Sequence, residues 1–193
     1  MPGLPGRMQH RAAKPAPVER GLSTIEALCV ASVAASTLGL ASGPWASTVQ
    51  RHRLQAAATM IEAEVQLARS WATANNRTVR LEVQHVRHGS WVIVHAGDKG
   101  ACRKAEDGAT QCAAGTPLVS ARFHDTSTGV RLANPGLSLA FSASRGTVTP
   151  TSTIRLTGSD GVGLNQVVNL MGRVRTCSLP AAWGSHAACR TPG

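Results

Sequence analysis

No charged residue lies between Glu26 and Arg51. This uncharged run follows a basic leader that holds Arg7, Arg11, Lys14 and Arg20 against Glu19 and ends at Gly21. An apolar helix of ~20 residues is long enough to span a bilayer, and a carboxylate near its start is costly unless it is partnered. The nearest partner for Glu26 is an α-amine released by a cut after Gly21, on the same chain or on a neighbouring one. An ordinary secretory signal places its apolar core before the cut and loses it. Here the apolar run comes after Gly21 and is kept. The charge of the leader predicts a cytosolic N-terminus.

Three segments emerge from this pattern: a leader over residues 1–21, a membrane helix over 22–48, and an exported domain over 49–193. The membrane helix is weakly apolar because Ala, Ser, Thr and Gly outnumber Leu, Ile and Val. Ala31, Ala35, Gly39 and Gly43 recur every fourth residue, which puts small side chains on one face and lets helices approach closely. Pro44 removes one helical hydrogen bond and is expected to bend or loosen the helix. Residues 49–74 continue as an amphipathic helix. Leu54, Ala58, Ile61, Val65, Ala68 and Ala72 form its apolar stripe, and Asn75-Asn76 supplies the stop. From Thr78 the period changes to two. Strands are predicted over residues 78–84, 90–95, 118–124, 129–132, 137–142, 153–157 and 166–171, with a loop over 96–117. The fold class is therefore α+β: a long N-terminal helix, half membrane and half amphipathic, packed on an antiparallel sheet domain.

Five cysteines are present. Cys29 lies in the apolar run and reads as a small packing residue. The other four fall as two local pairs, Cys102 with Cys112 and Cys177 with Cys189. Four cysteines allow three connectivities. Local pairing is the expectation, since each pair brackets a Gly/Ala-rich loop whose closure stabilises by roughly 3 kcal/mol. Disulfides imply an oxidising compartment, in keeping with export. Zinc is a poor fit because no CxxC spacing occurs.

The formal charge is +10, and the leader accounts for only part of it. Such an excess favours polyanions, nucleic acid or acidic lipid. Aromatics are scarce, with Trp45, Trp71, Trp91, Trp183, Phe123, Phe141 and no tyrosine. Nucleic-acid binding would then rest on phosphate contacts and not on base stacking. In an extended segment 173–175, Arg173 and Arg175 emerge on one face about 6–7 Å apart, close to the spacing of successive phosphates along one DNA strand. Arg145, Arg155 and Arg190 lie in the same C-terminal stretch, where Asp160 is the lone acid. No nucleophile elbow, phosphate loop or paired-acid arrangement appears, and His85 with His88 lacks a third metal ligand. No enzymatic activity, metal or cofactor is expected.

Gly21-Leu22 followed by Glu26 resembles a type IV prepilin, with leucine standing where phenylalanine or methionine is usual after the cut. The segments Arg53-Leu54-Gln55-Ala56-Ala57-Ala58 and Leu67-Ala68-Arg69-Ser70 are similar to the helix signature of GspH/FimT minor pilins and pseudopilins. Gly172-Arg173-Val174-Arg175 resembles the GRxR motif of FimT-like proteins. The resemblance implies a prepilin peptidase cut after Gly21, N-methylation of Leu22, and assembly through Glu26 with other major and minor pilins. It places the chain in the inner membrane with a periplasmic domain, and in a pilus fibre after assembly. It also implies non-specific DNA binding by Gly172, Arg173 and Arg175, helped by Arg145, Arg155 or Arg190, during natural transformation. The alternative it implies is structural: a minor pilin or type II secretion pseudopilin that primes or caps a fibre without binding DNA.

Overall fold

The expected stripe is buried, with Leu54, Ala58, Ile61, Val65, Ala68 and Ala72, joined by Ala57, on one face of α1 (Thr24–Ala74). The computed structural model describes residues 23–105 and 108–190. Gly21 and Leu22 fall outside them. The helix is continuous through Pro44, and the chain divides into two compact units between Ser42 and Gly43. The described part of the first unit is helical, with Glu26 in the first turn and Ile25, Leu28, Ala31 and Ala35 exposed. Cys29 is also exposed and unpaired. Among the described residues no helix is long and apolar enough to cross a membrane. The compact domain starts at Gly43, upstream of the expected residue 49. By Gln50 the helix already touches the body, its side-chain amide donating to the Gly129 carbonyl at 2.7 Å. The helix stops where expected: Asn76 adopts a left-handed φ of 48°, which asparagine tolerates better than most residues.

Within this second unit, two antiparallel sheets close a core with the helix. The first contains β1 (Val79–Val86) and β2 (Gly89–His95). The short hairpin β3 (Cys102–Lys104) and β4 (Thr110–Cys112) forms a separate ribbon, and the chain then returns to the first sheet in β5 (Leu118–Asp125). After β6 (Val130–Leu132) come β7 (Ser138–Phe141), β8 (Val148–Thr149), β9 (Ser152–Gly158), β10 (Gly163–Val168) and β11 (Val174–Leu179). The orders are β5-β2-β1-β7-β8 and β11-β10-β9-β6. Leu81, Leu139 and Phe141 from the first sheet meet Ile154, Leu156, Leu164 and Val168 from the second beneath Ile61 and Val65. Gln166 is fully buried among them, and its amide donates to the Ala58 carbonyl at 2.7 Å, satisfying part of its polarity.

Both local cysteine pairs are disulfide-bonded, Cys102 with Cys112 and Cys177 with Cys189. The first sits inside the β3–β4 hairpin, in a stretch expected to be loop. This hairpin is held on the outer face of β1 by Gln84, which donates to the Cys102 carbonyl at 2.6 Å and accepts from the Lys104 amide at 3.1 Å. The C-terminal strands also differ from expectation. The predicted strand over 166–171 is β10, which begins earlier and ends at Val168. Residues 169–173 form a turn, so the arginine pair opens a new strand instead of closing an old one.

Candidate nucleic-acid interface

The turn between β10 and β11 is built by Asn169. Its side-chain oxygen accepts from the Met171 amide at 3.0 Å and the Arg173 amide at 2.9 Å. Its carbonyl accepts from the Gly172 amide at 2.9 Å, and its own amide donates to the Arg173 carbonyl at 3.1 Å. Asparagine suits this position because its short side chain reaches backbone amides two residues on. Gly172 has a φ of 70°. The chain leaves this turn extended, with Val174 packed toward the core and Arg173 and Arg175 exposed on the opposite face.

The register places a third guanidinium on that face. Arg175 lies opposite Val167, Cys177 opposite Asn165, and Asn165 opposite Arg155. Arg155 alternates with buried Ile154 and Leu156, so it points outward, as do Arg175 and half-buried Asn165. An open groove of about 600 Å³ runs beside them, lined by Asn134, Thr153, Arg155, Val167 and Asn169.

Arg145 arrives from the other sheet. It is exposed in the β7–β8 turn next to Gly146, which has a φ of 60°. The two turns are joined because the Val148 amide donates to the Leu170 carbonyl at 2.8 Å. Between them lies the stem of Arg69 from α1. A Cβ on Gly146 would sit 2.9 Å from Arg69 Cγ, and one on Gly172 would sit 3.0 Å from Arg69 Cδ. Both glycines are therefore required twice, for a left-handed backbone and for the space the Arg69 stem fills. Arg69 joins the candidate site only through this contact; in the sequence its signal was membership of the helix signature. Gly172→Val is expected to lower the unfolding free energy by about 2 kcal/mol in a urea melt, from backbone strain and displacement of Arg69. A midpoint equal to that of the native chain would mean that the turn does not need this geometry.

Among the described residues Arg122 forms an ion pair with Glu64, and the His95 ring lies 3.5 Å from the Glu82 carboxylate. Arg69, Arg145, Arg155, Arg173 and Arg175 thus have no carboxylate partner there. Arg190 is exposed but lies elsewhere. Ser178 bridges Ala188 in parallel, so Arg190 continues past the end of β11 farthest from Arg173. The Cys177–Cys189 disulfide and this bridge cover the outer edge of β11 near Ser178. The tail is also held on α1, where His186 Nε2 donates to Gln55 Oε1 at 2.7 Å and Arg51 lies 5.8 Å from the centre of the Trp183 ring. The aromatic pair of half-buried Trp91 and exposed Phe123 is on the first sheet, and the Lys104 ammonium, 3.5 Å from the ring centre, occupies one face of Trp91.

A family model described as type II transport protein GspH matches residues 57–172, from the buried stripe of α1 to the glycine of the arginine turn. The chain belongs to the GspH family. Searches of curated proteins and of solved structures return no significant match. As a GspH-family protein the chain is a minor pilin or pseudopilin, a structural subunit that works in a fibre with related subunits. The matched region ends at Gly172, so Arg173 and Arg175 lie just beyond what the family match covers.

Proposed function

We propose that this GspH-family subunit binds duplex DNA without sequence preference through Arg173 and Arg175, with Arg155 and Arg145 extending the site, and serves DNA uptake in natural transformation. One observation carries the reading: the two arginines leave a pinned turn on the same face of β11, exposed and without carboxylate partners among the described residues. Guanidinium forks match phosphate oxygens in a bidentate manner and remain charged at any physiological pH. Phosphate contacts fix position on a duplex without reading its sequence. Arg190 continues past the far end of β11, too distant to share a phosphate with Arg173.

The processing steps belong to the same proposal. Prepilin peptidase cuts after Gly21, Leu22 becomes the methylated N-terminus, and Glu26 pairs with an α-amine during assembly. The uncharged stretch after Glu26 holds the chain in the inner membrane beforehand, with the domain in the periplasm. A second reading is supported by the family description and by the end of its match at Gly172: a type II secretion pseudopilin, or structural minor pilin, that touches related subunits alone.

Titration of the purified full chain with labelled duplex DNA over a range of salt separates the two. The DNA reading expects affinity to fall with rising salt, the log–log slope growing by about 0.9 for each phosphate contacted. Absence of binding at low salt leaves the structural reading.

A further inference from the structure

Two of the most exposed apolar side chains of the second unit stand at the tip of the arginine turn: Leu170 is 55% exposed and Met171 53%. Each keeps about half of its surface open to solvent. Their backbone is fixed at both ends, by Asn169 on one side and by the Leu170 carbonyl accepting from Val148 on the other. Little conformational entropy remains to be lost when such a tip is inserted into something. Around it stand Arg145, Arg173 and Arg175, with the stem of Arg69 beneath Gly172. A second copy of this basic chain is a poor occupant for an apolar tip flanked by arginines that have no carboxylate partner among the described residues. A polyanion with an apolar interior is a good one. Stacked base pairs behind a phosphate backbone have that character, and leucine and methionine are among the side chains that wedge between base steps.

Building on the duplex reading, we infer that Leu170 and Met171 form an apolar wedge that enters a base step from the minor groove while the flanking arginines hold the phosphates on either side. The arginines supply the salt-dependent part of binding and the wedge a salt-independent part. Entry of the wedge unstacks the step and bends the duplex. Flexible pyrimidine–purine steps yield most easily, which gives a mild preference without base-edge contacts.

The test uses the full chain and a short duplex labelled at both ends, reading affinity by anisotropy and bending by energy transfer. The native chain is expected to shorten the end-to-end distance. Leu170→Ser/Met171→Ser is expected to weaken binding about tenfold with an unchanged salt slope and to abolish the bend. Met171→Phe, which keeps an apolar wedge, retains it. The inference is overturned if the native complex is straight, or if the double serine variant binds and bends as the native chain does. It is equally overturned if that variant leaves DNA binding intact but stops co-assembly with other pilins, which would make the tip a subunit contact. Failure of the native chain to bind any duplex overturns the duplex reading itself, and the wedge with it.

Discussion

Arg173→Ala/Arg175→Ala is expected to weaken duplex binding by at least about 100-fold at low salt, because each guanidinium contributes a charge-assisted contact of about 1.5–3 kcal/mol. The same double variant is expected to lower the salt slope by about 1.8, the share of two phosphates. Both side chains are exposed and have no carboxylate partner among the described residues, so the melting temperature should hardly move. That separates loss of a contact from loss of the fold. Arg173→Lys/Arg175→Lys keeps the charge but loses the planar fork, and is expected to preserve most of the slope while still losing affinity. If the alanine pair binds with native affinity and slope, this edge of β11 is not the DNA site, and the positive charge must act elsewhere or serve solubility.

The parts of this chain that were legible in the sequence are those where one period dominates. The α1 stripe from Leu54 to Ala72 is buried as its spacing predicts, and alternation located β1, β2, β5 and β9 to within a few residues. The local disulfides were legible because each closes a short loop. The β3–β4 hairpin was not. Its strands are three residues long and carry Arg103, Lys104 and Gln111, so no apolar alternation marks them. What holds it is the disulfide together with Gln84 and Glu82, long-range partners that local pattern does not announce. The arginine turn was hidden for a different reason. Val167, Val168, Leu170 and Met171 look like one continuing strand, yet Asn169 takes over the hydrogen bonds of two amides and Gly172 turns left-handed. Apolar residues at 170 and 171 are therefore at a tip and not in a sheet. Arg69 was legible as a helix residue but not as a neighbour of Gly172, because that contact joins residues far apart in the chain.

Glu82→Ala is expected to cost about 3 kcal/mol of stability at neutral pH, since it removes one member of a buried polar cluster and strands the others. The Glu82 carboxylate accepts from the Gly100 amide at 3.0 Å and from the Ser138 hydroxyl at 3.2 Å, and His95 Nε2 stands 3.5 Å from its second oxygen. His95 is fully buried, and its ring nitrogens have no hydrogen-bond partner among the described residues. Burial pushes the Glu82 carboxyl up, but the His95 contact and the Gly100 and Ser138 hydrogen bonds outweigh it and leave the group below its ordinary value of 4.5. A depressed folded value means the charged form is bound more tightly in the folded state, so the stabilisation is complete above about pH 4.5 and is lost as pH falls through the folded value. Urea melts of the native chain and of Glu82→Gln from about pH 7 down to about pH 3 are expected to differ by a constant amount at neutral pH and to converge in acid. A gap that persists unchanged below pH 4 would show that the carboxylate's charge plays no part and that shape alone holds the β3–β4 hairpin to β1. Glu82 and the arginine turn share no hydrogen bond, so duplex binding by the fraction of Glu82→Ala that stays folded should match the native chain, which makes this variant the control for fold-independent loss at Arg173 and Arg175.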